Sequence, residues 1–362
     1  MKTFGRFLVL VLLISCGQLV AQTKPSWQVE WDRVLEAAKK EGQVSVWGPE
    51  GTWPRKALAE DFEKRFPEIK VDLELGAGAK WPKHKAERDA GLFNLDVHVG
   101  GVGSAVTSLY ASKALQPIET TFILPEVKDQ KVWWQEKFQF GDAEGKHVFV
   151  FTINPTPVVA YNTKTVDPNE IKSAKDLLNP KWKGKIVMYD PRVRGPGNAR
   201  WDFFLQTMGR EYVEALAKQI VLTRDHRQAS EWVASGKYPL GTGLDNSNVA
   251  EFTKKGAPID QISNFTEGNY LSAAWGTINF VDRAPHPNAA KIYINWVLSK
   301  EGQLAWQKHS GYNSARMDIP KDSVDPMNHI VKGLKYLTQF SPDAIKHRDE
   351  VSTKVANEIV KE

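Results

Sequence analysis

Three arginines, Arg192, Arg194 and Arg200, stand within nine positions of the stretch DPRVRGPGNAR that begins at Asp190. Guanidinium groups recognise planar or tetrahedral oxyanions through paired N–H donors, so the chemistry on offer is capture of a carboxylate or a phosphate. The stretch follows the apolar run Ile186-Val187-Met188, which reads as a strand. It precedes Ala199 to Met208, where Trp201, Phe204, Leu205 and Met208 recur at helical spacing. Strand, Gly/Pro turn and helix together aim unpaired backbone N–H groups, those around Asn198 included, and the positive end of a helix dipole at the loop. Arg200, one turn into that helix, points to solvent on this reading and is the weaker candidate. A solvated turn accounts for the same residues, since arginine is usually exposed and Gly with Pro marks turns of every kind. The local sequence leaves both readings standing.

Three glycine-rich loops each follow a strand candidate: Gly48-Pro49-Glu50-Gly51, Gly76-Ala77-Gly78-Ala79 and Gly100-Gly101-Val102-Gly103-Ser104. A tight turn needs glycine anyway, but three in succession on one sheet edge favour backbone approaching a ligand, with Glu50, Gly78 and Ser104 at its margin. None has the Gly-Lys-Ser/Thr ending of a phosphate-binding P-loop or the spacing of a dinucleotide fingerprint. Asn154, between two apolar runs, is a further polar candidate. Asp245 and Asn246, after the strand candidate Pro239 to Leu244, could take hydroxyl or amino groups. Of thirteen tryptophans, Trp53, Trp81, Trp201 and Trp275 lie near expected loops and could stack on a ligand.

Glu50 alone is more simply a turn residue than a metal ligand, and His98 inside a strand reads as a packed core histidine. No set of His, Cys and carboxylates has metal-site spacing, so no metal and no cofactor is expected. An exported enzyme is the rival class, without a Gly-x-Ser-x-Gly elbow, a His-Glu-x-x-His helix or a catalytic cysteine to support it.

The elements that must position these residues alternate. A helix capped by Asp32 runs to Gly42 and leads to the strand Val44 to Trp47. Pro54 opens a helix with Leu58, Phe62 and Phe66 on one face, and Pro67 stops it before the strand Val71 to Leu75. This order predicts mostly parallel, doubly wound sheets, whose ligands collect beyond the C-terminal ends of the strands. The stretch from about Asn328 reads as two helices packed across the outside.

With 362 residues the chain is long enough for about two domains, and 41% hydrophobic with 25% charged residues is ordinary globular composition. MKTFGRFLVLVLLISCGQLVAQ has a basic start and an apolar core too short to span a bilayer, which reads as an export signal over 1–21. Cleavage after Ala21 discards the only cysteine; cleavage before Cys16 leaves a lipidated N-terminus instead. Both stand, and neither permits a disulfide. Without Lys2 and Arg6 the net charge falls from +5 to +3, too little to argue for nucleic acid.

Three phrases carry a resemblance: Val158-Val159-Ala160-Tyr161-Asn162; Asp176 to Ile186, DLLNPKWKGKI; and Ala284 to Lys291, APHPNAAK, followed by Leu298-Ser299-Lys300-Glu301-Gly302-Gln303. In that order the chain, from about Val44 to Met317, resembles the periplasmic substrate-binding proteins of ABC importers, in the group of ferric-ion, thiamine, polyamine and sugar-phosphate binders. The resemblance implies an α/β fold of two lobes joined by crossover strands, one over 148–162 and the other over the extended stretch 268–281, with a ligand cleft between them. Lobe 1 is expected over 24–150 plus 272–327, lobe 2 over 158–270, and the C-terminal helices over 328–362. It implies a periplasmic or cell-surface monomer that binds without turnover, partnered by permease subunits, with DPRVRGPGNAR entering the cleft. Iron binders of the group present a tyrosine pair where this chain has Ser247 and Asn248 and an arginine missing around Asn154. A small anion, phosphorylated, phosphonate or carboxylate, is therefore the expected cargo, and ferric iron the alternative.

Overall fold

The computed structural model describes residues 24–76 and 81–361. The expected export signal, Cys16 and Gly78 lie outside the described residues. The first part of the chain contributes β1 (Gln43–Gly48), β2 (Lys70–Leu75), β3 (Val97–Gly100), β4 (Leu115–Gln116), β5 (Gln139–Phe140) and β6 (Phe149–Val150). The middle supplies β7 (Asn154–Pro155), β8 (Val159–Asn162), β9 (Ile186–Tyr189), β10 (Ile220–Thr223), β11 (Leu240–Thr242) and β12 (Ile259–Ile262). The last part adds β13 (Asn269–Ser272), β14 (Thr277–Val281) and β15 (Tyr336–Thr338).

These strands build two lobes and a bridge. The first lobe's sheet runs β2-β1-β3-β14-β6-β5, with β4 also on β14; β2, β1 and β3 are parallel, and β14 returns antiparallel to β3. The second lobe's sheet runs β10-β9-β11-β8-β12, with β10, β9 and β11 parallel. A three-stranded sheet, β15-β13-β7, lies on the segments passing between them. Central parallel strands are covered on both faces and so read as continuous apolar runs. Accordingly β1 buries every residue from Val44 to Gly48, and β9 all four of its own. The helix Pro287–Leu298 buries nine residues against the first lobe, where Tyr293 Oη donates to the Leu58 carbonyl at 2.8 Å.

Local chemistry sets the element ends. The first helix, Ser26–Glu41, starts six residues before the expected cap: Asp32 lies inside it and accepts from Lys24 and Gln28 instead. It ends where Gly42 adopts φ 71° and donates its N–H to the Ala38 carbonyl, with Lys39 and Lys40 against the negative end of the dipole.

The C-terminal stretch departs from the two expected helices. Tyr336-Leu337-Thr338, an aromatic and β-branched run, pairs parallel with β13 and completes an otherwise open edge. The chain then runs as helix, Pro342–His347 and Thr353–Ile359, with a π-turn over Arg348–Ser352 between them. This strap touches both cores. Phe340 belongs to the first lobe's cluster with Ile345 packed on it, while Ala356 and Val360 belong to the second lobe's. Among the described residues no helix is long and apolar enough to cross a membrane.

Candidate functional site

The C-terminal ends of the parallel strands in both lobes face the bridging segments. In the first lobe β1, β2 and β3 end at Gly48, Leu75 and Gly100, beside the start of β14 at Thr277, which pairs with Gly100. In the second, β9, β10 and β11 end at Tyr189, Thr223 and Thr242, and the Thr242 hydroxyl donates to the Val158 carbonyl of the crossover at 2.8 Å. The loops after these strands therefore frame one cleft, with the crossovers as its floor.

On the second lobe's rim the three arginines meet three different fates. Arg192 folds back on Asp190, donating from Nε at 3.0 and 3.2 Å and from Nη2 at 2.9 Å, with its backbone N–H at 3.0 Å. Arg224 donates to the same carboxylate at 2.9 Å. Burial would push the Asp190 pKa up, but the hydrogen bonds from Arg192 and Arg224 outweigh it and hold the carboxyl below the ordinary range. Arg192 also lines a depression of about 700 Å³ with Ile220, Leu222 and Val360. It braces the loop.

Arg194 remains 55% exposed, its nearest carboxylate oxygen being that of Asp349 on the strap at 3.8 Å. Next to it the helix Pro196–Met208 begins with Gly195 at the N-cap and no side chain capping its first turn. Gly197 admits no side chain there, because a Cβ would sit 1.9 Å from the Tyr189 carbonyl.

Arg200 does not reach solvent. It is fully buried and donates to the carbonyls of Thr156 (2.8 Å) and Pro157 (3.2 Å) and to Asn269 Oδ1 (3.1 Å). The Tyr270 ring lies 4.5 Å from its guanidinium carbon, with Phe203 at 5.1 Å. Burial lowers its pKa to about 10, so it stays charged at neutral pH, held by carbonyl dipoles and aromatic faces in place of a carboxylate. The expectation of a solvent-facing side chain missed the crossovers, which close over that helix face. Arg200 ties the helix to both of them.

Asn198 is also buried. Its Nδ2 donates to the Pro191 carbonyl and to Thr353 Oγ1 of the strap, leaving Oδ1 without a partner among the described residues. Asp245 caps its helix, accepting from the N–H groups of Ser247 and Asn248 at 3.0 and 3.1 Å and from the Ser247 hydroxyl. Asn246 accepts from Gln261 Nε2 at 3.2 Å.

On the first lobe's rim Glu50 is exposed in a bend, and Ser104 donates back to the Gly101 carbonyl at 3.0 Å. Trp275, at the first lobe's end of the crossover, is 41% exposed. In the floor Asn154 is buried; its Oδ1 accepts from the Asn313 N–H at 2.8 Å, while its Nδ2 donor has no partner among the described residues. His98 is buried, its Nδ1 2.7 Å from Asn279 Nδ2 and its pKa driven down to about 3 by burial and then by His84. No group of three or more His, Cys, Asp or Glu among the described residues could hold a metal ion.

Two rim residues escaped the sequence reading. Tyr189 and His226 stack at 3.8 Å with rings 8° apart, and a Cβ on Gly195 would lie 3.1 Å from the Tyr189 ring and 3.6 Å from His226. His226 Nδ1 is buried without a partner among the described residues. The signal was present in Thr223-Arg224-Asp225-His226, a polar run directly after a strand on the same edge.

Two α/β lobes with facing loop rims and a bridging floor define the two-lobed fold of the periplasmic binding proteins. Residues 45–313 match the family described as bacterial extracellular solute-binding protein, and the chain belongs to that family. An uncharacterized protein of Haemophilus influenzae is 24% identical over 264 residues, covering 70% of this chain and 71% of that one. The periplasmic binding protein AfuA of Actinobacillus pleuropneumoniae, solved with fructose-6-phosphate bound, is 20% identical with a TM-score of 0.57, covering 88% of this chain and 97% of AfuA. The Trichodesmium protein IdiA (FutA), solved with iron and citrate ligands, is 17% identical with a TM-score of 0.65 over 88% of this chain and 99% of that one.

Proposed function

We propose that this protein is the exported solute-capture component of an ABC importer and takes a small anion, phosphorylated, phosphonate or carboxylate, into the cleft without turning it over. The observation that carries this reading is Arg194, a mostly exposed guanidinium beside the uncapped start of a thirteen-residue helix at the C-terminal end of β9. Fixed N–H donors and a positive dipole end stand there with a flexible cation, which suits an oxyanion. Arg192 and Arg224, fastened to Asp190, hold the loop that presents it. Asn154 Nδ2, a buried donor without a partner, offers a second polar contact in the floor, with Glu50, Ser104, Asp245 and Asn246 at the rims. The ligands named for AfuA and for IdiA both include an oxyanion, in support.

A thermal-shift screen of the mature protein against phosphate esters, phosphonates, carboxylates and ferric citrate tests this. A ligand at a hundred times its dissociation constant adds roughly 2.7 kcal/mol of stability. Stabilisation by neutral or cationic solutes alone, or recovery of a chemically altered ligand, overturns the reading. Coloured, chelator-resistant binding of ferric ion would turn it to iron.

A further inference from the structure

We infer that Trp275 is a built stacking wall and that the cleft ligand carries a ring with an apolar face. The inference rests on the proposed cleft reading and adds the shape of the solute to its charge. Trp275 is the one exposed tryptophan of thirteen, all within the described residues. Leaving much of an indole in water forgoes burial that the other twelve obtain in whole or part.

The turn that displays it is strained and held. Ala274 adopts φ 45°, a left-handed conformation that costs a residue with a Cβ and persists only when its surroundings enforce it. Three hydrogen bonds do so: the Ala274 N–H to Ser272 Oγ (3.0 Å), the Gly276 N–H to the Ala273 carbonyl (2.8 Å), and the Thr152 hydroxyl to that carbonyl (2.5 Å). Position 276 accepts only glycine, because a Cβ would fall 1.6 Å from Thr152 Oγ1. One side of the indole lies close over Gly101, whose added Cβ would be 3.8 Å from two of its ring carbons. The ring is thus fixed against first-lobe backbone, with its free surface at the rim of the cleft.

A strained turn that keeps a large apolar ring exposed beside a ligand cleft fits one use, stacking on a flat or cyclic solute. With Arg194 across the cleft, the occupant is a cyclic anion, its ring on Trp275 and its charged group at the start of the helix Pro196–Met208.

Isothermal titration of wild type, Trp275→Ala and Trp275→Phe with glucose 6-phosphate, phenyl phosphate, glycerol 3-phosphate and glucose tests this. At least one cyclic phosphate should bind about tenfold tighter than the open-chain one, the scale of one aromatic contact. Trp275→Ala should erase that preference and Trp275→Phe keep most of it, with the melting temperature of the free protein unchanged. Equal affinity for cyclic and open-chain phosphates, or indifference to Trp275→Ala, overturns the stacking wall and leaves the anion reading intact. Binding of glucose alone, dependent on Trp275, overturns the anion reading and leaves the wall standing. Binding of none of the four overturns a cyclic phosphate as the occupant, and the anion reading is then decided by the carboxylates and phosphonates of the thermal-shift screen.

Discussion

The loop 190–200 and the turn 272–276 are opposites in sequence and in structure. The first is dense with charge and glycine and drew attention at once; the second reads as plain extended chain. Folded, the first spends most of its charge internally, with Arg192 on Asp190 and Arg200 buried against carbonyls, so that Arg194 alone stays mostly exposed. The second leaves the Trp275 ring 41% exposed next to Ala274 at φ 45°. Charge density along a chain records how many groups need partners. Which of them are left over for a ligand is decided by tertiary pairing.

The contrast breaks most visibly at Arg200. Arg200→Ala leaves the Thr156 and Pro157 carbonyls without their donor and opens a cavity, and should cost roughly 3–5 kcal/mol in urea unfolding. A loss under 1 kcal/mol would show the guanidinium to be dispensable to the crossovers. Gly276→Ala should cost roughly 1–3 kcal/mol, since the new Cβ overlaps Thr152; full stability would mean that the turn is not held as described. The two loop arginines should separate next. Arg192→Ala should lower stability by about 1–2 kcal/mol, whereas Arg194→Ala should leave the melting temperature alone and weaken binding of the best anion about tenfold. The reverse pattern would return Arg192 to the ligand.

The smallest effect concerns pH. Burial, only partly offset by Asp318, lowers the Lys321 pKa from 10.5 to about 8. Between these values the unfolded chain binds more protons than the folded one, so this group's contribution to stability rises with pH, by roughly 1 kcal/mol from pH 7.5 to 9. Lys321→Met should remove that rise in paired urea titrations.

Much of the scaffold was legible because buried parallel strands print as apolar runs, as at Val44 to Trp47 and Ile186 to Met188. The three-residue β15 was not, since Tyr336-Leu337-Thr338 becomes a strand only by meeting β13 almost seventy positions earlier. The site was legible as an edge and not as contacts. Arg194 faces Asp349 and Asn198 faces Thr353, partners more than 150 positions away that no local pattern contains. Trp275 could be singled out as a tryptophan near a loop, but the φ of Ala274 that displays it has no signature in residue type.

The C-terminal strap changes what kind of joint this molecule has. Two connecting strands alone would let the lobes swing, twist and shear against each other. Here the third strand lies along β13 and the strap beyond it packs on both lobes, with Phe340 in one core and Ala356 and Val360 in the other. Relative motion must flex a sheet and carry a crossbar with it, so the joint behaves as a leaf spring rather than a swivel. A spring of that kind narrows the range of shapes the empty protein explores. Less freedom is then left to be lost when a solute closes it.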